Sequence, residues 1–367
     1  MNPLREWEKL GQSIWLDYIR RDLMTTGELK RLIEEDGVSG ITSNPTIFAK
    51  AISGDSEYDE AIRRILAESP QITAAALFEK IEIEDLQMAA DALRPMFDRT
   101  EGNDGFASIE VSPHLAYDTR ESILEARRLW AEVGRQNLMV KIPATAEGMS
   151  AIEQLVSEGI NVNITLIFSV SQYEEVVEAY LRGMKRNSEP RKVTSVASLF
   201  VSRVDTAVDT LLEEVGTAEA MAVRGKAGIL NASLAYRRFR EVFFGPQFED
   251  LKRRGVRIQK PLWASTGTKN KAYSDVMYIE GLIAPDTINS VPPETLEAFR
   301  KHGKARVALS ENTEDAQDTV GKLVRMGINP HAIGMELTDQ GVEKFVQSYD
   351  ELIEGLKKKI DSFKQAA

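Results

Sequence analysis

Leu138-Met139-Val140-Lys141-Ile142 is a short apolar run with one charge in it, and it is the fourth of eight such runs along the chain. Before it come Ser13-Ile14-Trp15-Leu16-Asp17-Tyr18, Ser39-Gly40-Ile41-Thr42-Ser43-Asn44 and Phe106-Ala107-Ser108-Ile109-Glu110-Val111. After it come Asn161 to Leu166, Thr194 to Leu199, Pro261 to Ser265 and Asp286 to Ser290. Most are separated by helical patterns, the first pair by the stretch Thr26 to Glu35. Strands that alternate with helices call for a parallel sheet, and eight units predict an α/β fold of the (β/α)8 TIM-barrel class.

Two segments are longer than a barrel needs. Residues 57–99, between the second and third strands, and 206–254, between the sixth and seventh, read as helical insertions. Pro293 to His302 reads as a further helix. From Gly341 to Lys364 the tail places Val342, Phe345, Val346, Tyr349, Leu352, Ile353, Leu356 and Ile360 at spacings of three and four. That gives one apolar face, expected to pack on the barrel as a C-terminal helix. Lys357-Lys358-Lys359 suits its solvated end. No repeat, low-complexity segment or Pro/Gly-rich linker interrupts the pattern, so residues 1–367 are expected to form a single domain.

The chain has no cysteine and only His114, His302 and His331. Disulfides and Cys-ligated metal sites are excluded, and the histidines lack ligand spacing. With 46 basic and 57 acidic residues the net charge is −11. That argues against nucleic acid and anionic membranes as partners, though a local basic pocket for a small phosphate remains open. No stretch is apolar enough to span a membrane, and the N-terminus lacks the core of a signal peptide, so a soluble cytoplasmic protein is expected.

Parallel barrel strands are buried on both faces, so polar residues there need a reason. Asp17, Glu110, Lys141, Asn163 and Thr165 lie on such strands, and Asn44 and Ser198 at or near strand ends. Singly, each has an ordinary structural role: a carboxylate paired with an arginine, a helix cap, a backbone partner. Together they describe polar groups converging on one end of a barrel, where such folds place active sites. Lys141 is the sharpest of them. Burial disfavours the charged form of a lysine, and a neutral amine can attack a ketone to form a Schiff base. A protonated imine is an electron sink, so an adjacent carbon–carbon bond can break or form. Imine chemistry also needs proton shuttles, and Glu110 and Asp17 sit on different strands. The alternative is a strand-end lysine that reaches solvent or pairs with Glu110 or Asp17.

These residues resemble a known family, the transaldolases. Gly40-Ile41-Thr42-Ser43-Asn44-Pro45-Thr46-Ile47-Phe48 resembles its first signature. Leu138-Met139-Val140-Lys141-Ile142-Pro143-Ala144-Thr145-Ala146-Glu147-Gly148-Met149 resembles the second, which holds the imine-forming lysine. Asn161 to Ser169 resembles its fifth-strand motif, and Ser198 to Arg203 resembles its sixth-strand phosphate motif. The length and insertions are similar to the longer bacterial-type members. The resemblance implies that Lys141 forms the imine, Asp17 is the acid/base at the C4 hydroxyl, and Glu110 acts through a water that Thr165 helps to hold. It further implies that Asn44 and Asn163 bind the dihydroxyacetone moiety, and that Ser198 and Arg203 bind phosphate. Many members carry Ala-Ser-Phe-Arg-Asn after strand seven; here the chain reads Ala264-Ser265-Thr266-Gly267-Thr268-Lys269-Asn270. Lys269 replaces the arginine as a point charge without its bidentate fork.

The implied activity transfers a dihydroxyacetone unit from sedoheptulose 7-phosphate to glyceraldehyde 3-phosphate, giving erythrose 4-phosphate and fructose 6-phosphate in the non-oxidative pentose phosphate pathway. No metal or organic cofactor is implied, the partners are phosphorylated sugars, and a homodimer is an assembly the family allows. Two alternatives stand beside it. A fructose 6-phosphate aldolase would release free dihydroxyacetone; that relative has tyrosine where Phe200 stands and glutamine where Glu110 stands. A non-catalytic sugar-phosphate-binding barrel would keep Ser198 and Arg203 without the imine machinery.

Overall fold

The computed structural model describes residues 2–43, 46, 48 and 56–366. Eight strands form a closed barrel in chain order: β1 (Gln12–Asp17), β2 (Val38–Thr42), β3 (Phe106–Glu110), β4 (Leu138–Pro143), β5 (Val162–Ile167), β6 (Ser195–Phe200), β7 (Lys260–Ala264) and β8 (Thr287–Val291). Every neighbouring pair is parallel, and β8 closes on β1 through Gln12↔Thr287 to Leu16↔Val291. The fold is the (β/α)8 barrel expected from the eight runs, each of which falls on its strand.

Side chains of a strand alternate between two faces, and here the two faces feed two separate cores. Ile14, Leu16, Val38, Ile41, Ile109, Val140, Ile142, Val162 and Ile164 join the core under the surrounding helices. Trp15, Phe106, Met139, Val196, Leu262 and Ile288 join the core that fills the barrel. Gly40 belongs to this filling: a Cβ there would lie 2.5 Å from the Trp15 indole, so only glycine leaves room for the ring. Two residues further along the same strands come Asp17, Ser108, Lys141, Ser198 and Ser290. The interior is therefore apolar near the strand starts and polar toward the strand ends.

The insertions are helical. Asp59–Glu68 and Ala74–Arg99 lie between β2 and β3; Ser202–Val215, Ala218–Met221, Ala227–Phe243 and Glu249–Arg253 lie between β6 and β7. The helix expected from Thr26 starts at Glu28, because Gly27 takes a left-handed φ of 81° and interrupts the chain before it. Pro293–His302 is helical as expected. A helix not anticipated, Glu314–Arg325, follows. The terminal helix runs Pro330–Ala366 and so begins eleven residues before Gly341. Its start is an Asn-Pro signal: Asn329 Oδ1 accepts from the amides of His331 at 3.0 Å and Ala332 at 3.3 Å, and Pro330 lacks the amide that a first turn leaves unused. Among the described residues no helix is long and apolar enough to cross a membrane.

This terminal helix crosses the end of the barrel where the strands finish. Thr338 Oγ1 donates to Leu166 O at 3.1 Å, Tyr117 OH donates to Asp339 at 2.7 Å, His114 meets Asp350 at 2.8 Å, and Lys359 pairs with Asp59 at 2.7 Å. It therefore spans from β5 to the first insertion and roofs the polar end of the barrel.

Candidate active site

The strand ends open into a cavity of about 940 Å³. Asp17, Lys141, Thr165, Ser198, Arg203 and Lys269 all line it. Glu110 and Asn163 stand behind that wall, each one hydrogen bond from a lining residue. Asn44 lies outside the described residues.

Lys141 comes from β4, where Ile142 and Val140 face the outer core and Lys141 points into the barrel. It is 6% exposed. Its Nζ donates to Ser43 O at 3.0 Å and to Glu110 Oε2 at 3.1 Å. Glu110 and Lys141 are register partners on β3 and β4, and Lys141 and Asn163 on β4 and β5, so the three share one level of the barrel. The carboxylate pairing named as the alternative for Lys141 is thus present with Glu110, in a lysine that also lines the cavity. Desolvation pushes the Glu110 carboxyl above its ordinary value, against the pull of Lys141.

Asp17 ends β1 and is half-buried. Its Oδ1 accepts from Thr42 Oγ1 at 2.9 Å, and Thr42 in turn meets Ser290 Oγ at 2.8 Å. Desolvation raises the Asp17 carboxyl, with Lys141, the Thr42 hydrogen bond and Lys269 pulling it down. Two carboxyls with raised pKa thus flank one lysine from different strands, a geometry suited to separate proton transfers.

Thr165 is 1% exposed, and its Oγ1 is buried without a hydrogen-bond partner among the described residues. A buried hydroxyl without a partner is costly, which makes it a candidate for holding a reactant or water. Just beyond it Leu166 takes φ 60°, left-handed for a non-glycine, where the β5–β6 pairing shifts register. Asn163 is fully buried. Its Nδ2 donates to Ser108 Oγ at 3.2 Å and its Oδ1 accepts from Ser198 Oγ at 2.7 Å.

Arg203 is the second residue of the helix Ser202–Val215, immediately beyond β6. It has no hydrogen bond or ion pair among the described residues; its guanidinium stands 5.3 Å from the Phe200 ring centroid. Desolvation lowers its pKa, partly offset by Asp17. Lys269 is exposed on the loop after β7 and likewise forms no ion pair among the described residues. Arg31 and Arg300, also on the rim, are spent on neighbours, since Arg31 meets Glu28 at 2.6 Å and Arg300 pairs with Glu297, while Lys344 is exposed there with no ion pair among the described residues. Arg203 and Lys269 thus form a local positive end on an acidic protein, open to an anion.

Sequence reasoning missed several groups. Ser43 reaches Lys141 through its carbonyl, which no side chain announces. Lys344 and Phe345 line the cavity from the roofing helix, with the Phe345 ring centroid 5.9 Å from Lys141 Nζ. Phe345 was legible only as one more residue of an apolar helix face. Glu82, from the helix Ala74–Arg99, is a buried carboxyl 3.5 Å from Ser43 Oγ. Desolvation, then Glu110 and other carboxylates, hold it well above the ordinary range. It carried no signal beyond its place in a helical run.

A family model described as Transaldolase/Fructose-6-phosphate aldolase matches residues 14–356. A transaldolase of Thiobacillus denitrificans is 45% identical over 357 residues, covering 96% of this chain and 99% of that one. A transaldolase of Mycolicibacterium smegmatis is 43% identical over 360 residues, covering 97% and 96%. A transaldolase of Acidothermus cellulolyticus is 45% identical over 356 residues, covering 96% and 95%.

Proposed function

The chain belongs to the transaldolase/fructose-6-phosphate aldolase family, and from that premise we propose that it is a transaldolase whose chemistry is carried by Lys141. The enzyme transfers a dihydroxyacetone unit from sedoheptulose 7-phosphate to glyceraldehyde 3-phosphate. The observation that carries the reading is a buried lysine facing a cavity between two carboxyls of raised pKa.

The steps follow from that arrangement. Lys141 Nζ adds to the ketone carbon, the carbonyl oxygen takes up a proton, and water leaves to give a protonated imine. Glu110, already hydrogen-bonded to Nζ, serves these proton transfers through a water that the buried Thr165 hydroxyl helps to hold. Asp17 then accepts the proton of the C4 hydroxyl. The C3–C4 bond breaks, its electron pair moves toward the imine to give an enamine, and erythrose 4-phosphate departs as the aldehyde. The enamine carbon adds to the aldehyde of glyceraldehyde 3-phosphate, and Asp17 returns its proton to the new alkoxide. Water adds to the imine and releases fructose 6-phosphate and the free amine.

Asn44 and Asn163 are proposed to hold the dihydroxyacetone hydroxyls. Asn163 has a second amide N–H beyond the one given to Ser108. The phosphate is proposed to lie against Arg203 and Lys269, with Ser198 turning its hydroxyl from Asn163 to a phosphate oxygen. Residues 1–367 acting as one domain, a cytoplasmic setting and a homodimer belong to the same proposal; sedimentation of the purified protein tests the last.

An acceptor-dependence assay tests the activity. Turnover of fructose 6-phosphate should require an aldehyde acceptor such as erythrose 4-phosphate. Efficient release of free dihydroxyacetone without acceptor would instead make the protein an aldolase.

A further inference from the structure

We propose that Asp209 and Tyr273 are positioning residues of the anion-binding end, their hydrogen bond holding the loop after β7 so that Lys269 faces the cavity that Arg203 lines. The proposal rests on the reading of that end as the phosphate site.

The helix Ser202–Val215 carries Arg203 in its first turn and Asp205 and Asp209 four residues apart on one face. Both carboxylates are buried, at 1% and 7% exposure. Asp205 accepts from Gly228 N at 2.8 Å and from Tyr278 OH at 2.8 Å. Asp209 accepts from Gly225 N at 2.8 Å and from Tyr273 OH at 2.7 Å. Each carboxylate thus joins the same three segments: the helix of Arg203, residues 225–228 of the second insertion, where a turn runs into the helix Ala227–Phe243, and the segment after β7.

Lys269 lies within that last segment. Thr268 Oγ1 donates to Ser274 O at 2.8 Å and Tyr273 N to Asn270 O at 3.1 Å, so the loop is closed on itself with Lys269 inside it. The Tyr273–Asp209 bond fastens the closed loop to the helix. Lys269 lines both the large cavity and a smaller pocket of about 210 Å³ whose wall includes Asp209 and Tyr273. The close approach is built into the backbone as well. Gly225 has φ +68°, and a Cβ there would stand 2.7 Å from the Tyr273 ring. This gives the second insertion a purpose: its turn at Gly225 and the helix start at Gly228 supply the amide donors that fix the carboxylates.

A lysine on an untethered loop pays for its ordering when the anion binds; a tethered one does not. Tyr273→Phe removes only the hydroxyl and tests this. Calorimetry with inorganic phosphate should show binding weakened about three- to tenfold. The KM for the phosphorylated acceptor should rise by a similar factor with kcat nearly unchanged, and adding Lys269→Met should abolish the difference between Tyr and Phe. Gly225→Ala, which displaces the same ring, should act in the same direction. A merely structural role would lower the melting temperature and leave phosphate affinity alone. Wild-type phosphate affinity in Tyr273→Phe, or an effect undiminished beside Lys269→Met, would overturn the proposal. Failure of the wild-type protein to bind phosphate would overturn the phosphate-site reading itself, and the proposal with it.

Discussion

Glu110 and Lys141 occupy paired positions on β3 and β4, and their charged ends meet at 3.1 Å with both side chains 7% exposed. A desolvated pair of this kind is not mainly a stabilising device, since removing two charges from water offsets much of their attraction. Here it sets a carboxyl within one hydrogen bond of the amine whose proton must move. Glu110→Gln keeps the shape and an acceptor oxygen but loses the acid. Turnover should fall by roughly a hundredfold or more, the usual worth of a positioned general acid/base. Steady-state kinetics checks this, and wild-type turnover would remove Glu110 from the mechanism.

Thr165→Val separates function from stability. The hydroxyl is buried without a partner among the described residues, and replacing it by a methyl of similar shape removes an unsatisfied polar group. The variant should be as stable as wild type or more so, by about 1 kcal/mol, while turnover falls roughly tenfold or more through loss of the positioned water. Urea unfolding and kinetics on the same preparation decide it. Unchanged activity would mean that Thr165 holds no water that matters.

Arg203→Gln should act on binding. A charged hydrogen bond is worth about 1.5–3 kcal/mol, so KM for the phosphorylated substrates should rise roughly tenfold to a hundredfold. Lys269→Met should cost less, because its ammonium is exposed and screened. Equal losses with substrates lacking the phosphate would contradict this placement of the anion.

Glu82 gives a pH signature of stability. Its folded carboxyl is held well above the ordinary value of 4.5, chiefly by desolvation. The folded state therefore binds more protons than the unfolded state as pH rises above that value, and stability is lost with rising pH until the folded carboxyl has ionised. Glu82→Gln removes this loss. Its stability relative to wild type should be greater at about pH 8 than at about pH 4, read by denaturant unfolding at both. A difference that shrinks toward high pH would mean Glu82 is not held protonated.

Much of this was legible in the sequence because barrel strands have a period of two and lie between two cores. Trp15 and Asp17, or Met139 and Lys141, show apolar filling giving way to chemistry within two residues of one strand. A charged residue in such a run stands out against its neighbours. What stayed hidden depends on distant chain segments. The Ser43 carbonyl is a backbone atom. Phe345 and Lys344 reach the cavity only because the terminal helix crosses the barrel end. Asp205 and Asp209 look like an ordinary polar helix face until Tyr278 and Tyr273 arrive from beyond β7.

The central claim is a covalent bond to one named nitrogen. Wild-type protein incubated with fructose 6-phosphate and reduced with borohydride should gain a dihydroxyacetone-derived adduct, located by peptide mass spectrometry on Lys141 alone. Lys141→Ala should stay folded by circular dichroism, lose turnover and gain no adduct. An adduct on another lysine, or none on wild type under turnover conditions, would contradict the account.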